Sequence, residues 1–162
     1  MHMGARFLIN AALFLVLGGG MIGVCAFALV KGRPAERYGA AMYGLAVLLS
    51  FAIEGVTGEA IPVLPLLLLD GLVAVGFLFL SIRYNNLWLG AAMMIKGVQL
   101  AVHATHLTDV DDPYFAGLNM YGAALDLVSL MILLTILGAT LATVAERRKA
   151  KASAAAAAGQ AT

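Results

Sequence analysis

Four polar side chains share one face of an otherwise apolar stretch, and their types could hold a cation or move a proton. Residues 87 to 107 carry Lys96, Gln99, His103 and His106 at a three-four-three spacing. At about 100° per residue, these positions fall within roughly 80° of one face of an α-helix. Polar groups inside a membrane helix are costly without partners, so we expect this face to point into a helix bundle.

The end of the same stretch has the residue types of a metal site. His103 and His106 stand one helical turn apart and run into an acidic loop. Zn, Cu and Ni accept imidazole ligands, so a transition metal can be accommodated here, although no cofactor is predicted for the chain. The sequence leaves metal sensing or delivery open, although an acidic loop can also be simply solvated. The candidate ligands are His103, His106, Asp109, Asp111 and Asp112.

Haem binding and covalent catalysis find little support. The only other histidine is His2, outside any apolar run, whereas a haem held between two helices usually takes a ligand from each. Ser50, Ser81 and Ser129 lie in apolar runs without a nucleophile–base motif. We therefore expect no haem and no catalytic residues.

Three charged residues have similar predicted depths in three consecutive apolar runs. Asp70, Lys96 and Asp126 each lie roughly 12–17 Å from the nearer end of their run, in a hydrocarbon core about 30 Å thick. We predict that Lys96 lies between Asp70 and Asp126, which share its ammonium group, with one carboxyl protonated. Asn119 and Tyr121 lie further out, level with the histidines. The predicted intramembrane polar cluster comprises Asp70, Lys96, Gln99, His103, His106, Asn119 and Asp126.

The composition is that of an integral membrane protein. Of the 162 residues, 62% are hydrophobic and 12% are charged, whereas soluble domains average about 45–50% and 25%. Basic residues cluster only in short loops and the tail, so nucleic acid is not an expected partner. Cys25 is the single cysteine, which excludes an internal disulfide and suits a small buried side chain.

Five apolar runs predict an all-α bundle of five transmembrane helices over residues 1–146. The first run is too long for a signal-peptide core and is interpreted as a retained helix, with Gly19 and Gly23 spaced for close helix packing. Residues 147–162 form a basic, then Ala-rich tail, which we predict to be disordered, a helical continuation of the fifth span being the alternative. The predicted spans are 7–30, 38–56, 62–82, 87–107 and 115–144.

The charges between the runs predict the orientation. Basic residues remain in the cytoplasm, and here they alternate with turns that have none. Only Arg6 stands on the opposite side, so we predict the N-terminus outside and the C-terminus in the cytoplasm. The cytoplasmic residues are then Lys31, Arg33, Arg37, Arg83, Arg147, Arg148, Lys149 and Lys151.

Residues 69 to 88, LDGLVAVGFLFLSIRYNNLW, followed by Gln99 and His106, resemble a group of small uncharacterised alphaproteobacterial multi-pass inner-membrane proteins. The resemblance covers roughly residues 60 to 130. It implies a bacterial inner membrane and importance of Asp70, Gln99 and His106, but no activity. Lys96, His103 and the acidic loop are not part of the shared pattern.

Three functional hypotheses remain open. The first is a non-catalytic accessory subunit or regulator of a larger membrane complex, in which the polar face holds helices together. The second is proton- or ion-coupled transport, although the sequence has no inverted repeat and no broken helix pair. The third is metal sensing or delivery at the outer surface. The expected partners are the lipid bilayer and another membrane protein or a second copy.

Overall fold

The chain forms a bundle of α-helices in the part that the structure, a computed structural model, describes. The described residues are 19–57, 63–108 and 120–159. The prediction of an all-helical fold is confirmed over these residues. The helices are α1 (Gly19–Lys31), α2 (Pro34–Thr57), α3 (Val63–Tyr84), α4 (Leu87–Thr108) and α5 (Met120–Gly159).

Three of these helices are long and apolar enough to cross a membrane. They are Val63–Tyr84, Leu87–Thr105 and Tyr121–Ala158. This supports, in its coarse form, the prediction of a membrane protein with transmembrane helices.

Local signals explain where α2 and α4 begin. Pro34 occupies the first helical position of α2, where its missing N–H costs nothing. The Arg33 backbone N–H donates to Glu36 Oε2 at 2.5 Å, which is half of a capping box. Asn85, with a φ of 48°, follows α3 in the left-handed conformation that asparagine tolerates, and α4 starts two residues later.

Close packing between helices uses two glycines that the sequence analysis did not single out. A Cβ at Gly39 would lie 2.7 Å from the ring of Trp88, and one at Gly76 would overlap the sulfur of Met42. These positions bring α2 against α4 and α3. These helices pack around a core of buried side chains. Its largest fully buried members include Tyr43, Phe77, Leu89, Ile132 and Ile136.

Gly19 and Gly23, the two glycines that the sequence predicted at a close helix contact, do not lie at one within the described residues. A Cβ at Gly19 or Gly23 would meet nothing within 4 Å, and both positions are exposed. The helix α1 packs instead through Cys25 and Ala28, which are buried. Cys25 is two residues from Gly23, so the glycines face away from the bundle.

The last helix is 40 residues long, which corresponds to about 60 Å. It continues to Gly159, in place of the predicted disordered tail. The physical reason is composition, since Ala, Lys and Arg are among the best helix formers.

Polar contacts tie α5 to the turn between α1 and α2; we call them the latch. Arg33 forms a 2.7 Å ion pair with Glu146, and Arg147 donates to the carbonyl oxygen of Lys31 at 3.0 Å. Beside them, Thr143 Oγ1 donates to Glu36 at 3.3 Å.

Candidate functional site

Five polar side chains from three helices meet inside the bundle; we call them the buried polar chain. Asp70 comes from α3, Lys96, Gln99 and His103 come from α4, and Tyr121 comes from α5. Their exposed fractions range from 0% for His103 to 8% for Asp70 and Tyr121. Water therefore cannot replace the contacts that these groups make with one another.

Helical periodicity positions the α3 and α4 residues. On α4 the interior face runs through Leu89 and Ala92 before it reaches the polar positions, at alternating steps of three and four residues. On α3 the buried residues are Leu66, Asp70, Val73 and Phe77, with the same periodicity. The prediction that the polar face of α4 points into the bundle is therefore confirmed for Lys96, Gln99 and His103.

Asp70 is the centre of the chain because its two carboxylate oxygens bind two different groups of α4. Lys96 Nζ donates to Oδ1 at 2.5 Å, and His103 Nε2 lies 2.9 Å from Oδ2. Hydrogen bonds that involve ionised groups are shorter and roughly twice as strong as neutral ones. One carboxylate on α3 thus holds two turns of α4.

The ammonium group of Lys96 has two more neighbours. It donates to Gln99 Oε1 at 2.7 Å, and it lies 5.6 Å from the centre of the Tyr43 ring. An aromatic face attracts a cation at this distance. The Tyr43 hydroxyl donates to the carbonyl oxygen of Ser129 at 3.3 Å, which connects α2 to α5 at the same level.

His103 joins Asp70 to Tyr121. Its Nδ1 lies 2.5 Å from the Tyr121 hydroxyl, with the two rings edge to face at 5.7 Å. A neutral imidazole donates from one nitrogen and accepts at the other, so it can donate to the carboxylate and accept from the phenol. An imidazolium donates from both nitrogens, and the phenol oxygen can accept. The ring can therefore gain a proton without exchanging partners.

Asp126 is not part of this chain, contrary to the prediction that it shares Lys96 with Asp70. Its side chain is exposed, and Lys96 is held by Asp70 and Gln99 instead. The physical reason is helix rotation. Asp126 is offset by about 140° from Tyr121 and by about 160° from Val128, which both face the interior.

Most of the remaining predicted site residues lie outside the part of the chain that the structure describes. Asp109, Asp111, Asp112 and Asn119 fall outside the described residues, and His106 lies in α4 with its side chain outside the description. Among the residues that the structure describes, no group of three or more His, Cys, Asp or Glu could hold a metal. Both ring nitrogens of His103 are engaged, so a metal at His103 would have to displace Asp70 or Tyr121.

Two tyrosines complete the site, and the sequence carried a signal for each. Tyr121 was placed level with the histidines, but was not predicted as a site residue. Tyr43 was missed. It and Lys96 each lie about nine residues, or roughly 13 Å, from the start of helices that begin on the same side of the bundle. A comparison of the depths of Tyr43 in α2 and Lys96 in α4 would have predicted that these two side chains meet.

The arrangement is an uninterrupted series of ionisable groups, running from Lys96 through Asp70 and His103 to Tyr121. It offers acid–base groups and ion pairing, and none of its contacts joins a serine or cysteine nucleophile to a base. Comparison of the chain with protein-family models, with curated proteins and with solved structures finds no match.

Proposed function

We propose that the protein is a non-catalytic, multi-pass regulator or accessory subunit in a bacterial inner membrane, and that it responds to protons on the outer side. In this proposal all five helices cross the membrane, with the N-terminus outside and the C-terminus in the cytoplasm. The distribution of basic residues supports this orientation. The three long apolar helices support the membrane placement.

The observation that carries the proposal is the position of His103 between Asp70 and Tyr121. A single Lys–Asp pair would be enough to hold α3 against α4. The imidazole adds a group that can take up a proton at one nitrogen while it keeps a hydrogen bond at the other. It faces Asp70 from α3 and Tyr121 from α5, while Lys96 on its own helix and Tyr43 from α2 lie beyond Asp70.

Protonation at His103 has a structural consequence. A proton taken up at Nδ1 gives an imidazolium, whose positive charge then lies beside the same carboxylate that Lys96 binds. The two cations share one negative charge, which weakens the attraction between Asp70 and Lys96 and changes the contact between α3 and α4. Acidification outside thereby becomes a change in helix packing, which a partner protein in the membrane can detect.

Proton conduction across the whole bundle is less well supported. On the N-terminal side of Lys96, the interior face of α4 consists of Leu89 and Ala92, which are both fully buried and apolar. Within the described residues the polar chain thus covers one half of the bundle, as expected for a sensor rather than a channel.

The test is the distance between α3 and α4 as a function of pH. Spin labels at the exposed positions Leu72 and Val98 report this distance in lipid nanodiscs. We expect the distance distribution to change between about pH 8 and pH 5 in the otherwise unaltered chain, and to become independent of pH in His103→Gln.

Asp126→Asn is the matched control, because it removes an exposed carboxylate and should leave the pH response intact. A distance that does not respond to pH, or a response that survives in His103→Gln, would refute the proposed function. Unchanged distances together with proton flux through vesicles would favour the transport hypothesis instead.

A further inference from the structure

Asp126 places a carboxylate on the outward surface of α5, among apolar side chains. Leu127, Leu130 and Leu134 on this surface are 59%, 40% and 56% exposed. In a membrane this surface faces lipid or another protein, and a carboxylate in contact with lipid is rare.

Contacts elsewhere on α5 show that Asp126 lies level with the buried polar chain. On one side of Asp126 along the helix, Tyr121 contacts His103. On the other side, the carbonyl oxygen of Ser129 accepts a hydrogen bond from Tyr43, whose ring lies next to Lys96. Asp126 is about 7.5 Å along the helix from the first contact and about 4.5 Å from the second. It therefore lies at about the height of Asp70, within the apolar length of α5.

The described part of the chain supplies no cation for Asp126. Lys96 is buried against Asp70, and the other described lysines and arginines lie within about one turn of the ends of α1, α2 and α3, between α1 and α2, or in the extension of α5 beyond Glu146. At the same depth, Asp70 is held by two groups. Asp126 has no such partner among the described residues. The one lysine or arginine beyond them is Arg6, which stands outside the membrane in the proposed orientation. This points to a partner outside this chain.

We infer that Asp126 is half of an interhelical ion pair, and that the other half is a lysine or arginine in the transmembrane helix of a different protein. Gly122 lies one turn away, and a Cβ there would meet nothing within 4 Å, so a second helix can approach closely. Within the described residues, a second copy offers no exposed lysine or arginine at this depth, because its own Lys96 is buried. The inference rests on the proposed placement of α5 in the membrane, but not on the proton response of His103.

The test uses a synthetic transmembrane peptide of leucines with one arginine at the depth of Asp126. Its association with the full chain in lipid vesicles is measured by energy transfer between labels. An all-leucine peptide is the control for general helix affinity. We expect the arginine peptide to bind about tenfold more tightly than the all-leucine peptide, and this preference to vanish in Asp126→Asn and to persist in Asp126→Glu.

Equal binding of the two peptides, or a preference that survives in Asp126→Asn, would overturn the inference. Self-association of the chain that requires Asp126, without preference for the arginine peptide, would also overturn it and assign the surface to a second copy. Neither result depends on pH, so both are distinguishable from failure of the proposed function.

Discussion

Replacement of Asp70 by asparagine is the most direct test of the buried polar chain. The substitution keeps the size of the side chain and one oxygen for Lys96, but removes the negative charge. It also turns an amide N–H₂ or a neutral oxygen toward His103. Lys96 then retains only uncharged partners, which are the amide oxygen at position 70, Gln99 and the ring of Tyr43.

The expected cost follows from the burial of Lys96, which is 3% exposed. Removing one partner of a buried ion pair typically costs about 3–5 kcal/mol. An unpaired lysine at the centre of a membrane helix costs about 2.5–3.5 kcal/mol, whereas an ordinary interhelical hydrogen bond is worth only about 0.6 kcal/mol. We therefore expect Asp70→Asn to lower the free energy of unfolding by about 3 kcal/mol.

The converse change should cost less. Lys96→Met leaves Asp70 with its hydrogen bond to His103. We expect about 2 kcal/mol for Lys96→Met, and also about 2 kcal/mol for the double variant Asp70→Asn/Lys96→Met, in which both charges are gone. The two single effects should thus be far from additive.

Reversible unfolding with a denaturing detergent in mixed micelles measures these free energies. Asp126→Asn is the matched control, and as a substitution on the outward surface it should change stability by less than about 0.5 kcal/mol. Additive effects of Asp70→Asn and Lys96→Met would refute the pairing. So would a cost for Asp126→Asn that equals the cost for Asp70→Asn.

Three further predictions concern other parts of the chain. A reporter that is active only in the cytoplasm should work when fused after Thr162 and fail when inserted at Asp111; the opposite result would contradict the five-span orientation. If the outer residues bind Zn²⁺ or Cu²⁺, the ion should raise the melting temperature, and His103→Ala and His106→Ala should each abolish the rise; the absence of any rise in the unaltered chain would remove the metal hypothesis. Glu36→Ala should cost about 1 kcal/mol in the same detergent unfolding assay by removing the cap of α2, whereas Glu36→Gln, which keeps an acceptor, should cost less; equal costs would show that the cap contributes nothing.

The sequence predicted the helices and the interior face of α4, because polar residues at helical spacing in an apolar run have a single low-energy direction. It also predicted the approximate level of Asp70, Lys96 and Asp126, since the rise per residue fixes depth. It could not predict the rotation of α5. That helix is apolar on all sides between Tyr121 and Val144, apart from a few polar residues. Its hydroxyls do not distinguish the interior in the sequence, since Thr135 is partly exposed and Thr140 is buried, and both bond to carbonyl oxygens of their own helix.

The contacts of the two tyrosine rings could not be predicted from the sequence of any single helix. Tyr121 and Tyr43 belong to α5 and α2, whereas His103 and Lys96, which they contact, belong to α4. A tyrosine in an apolar run is compatible with the core, the lipid boundary or a polar contact. Only the packing of helices distinguishes these roles.

The latch at Glu146 divides α5 into two unequal arms. The arm from Tyr121 to Glu146 is about 38 Å long, and the arm from Glu146 to Gly159 is about 20 Å long, at roughly 1.5 Å per residue. If α5 tilts as a rigid rod about this fulcrum, a displacement at Gly159 is accompanied by one nearly twice as large, and opposite in direction, at Tyr121. Among the contacts of α5 named here, the hydrogen bond between Tyr121 and His103 lies farthest from the latch, so a sideways force at Gly159 displaces it most.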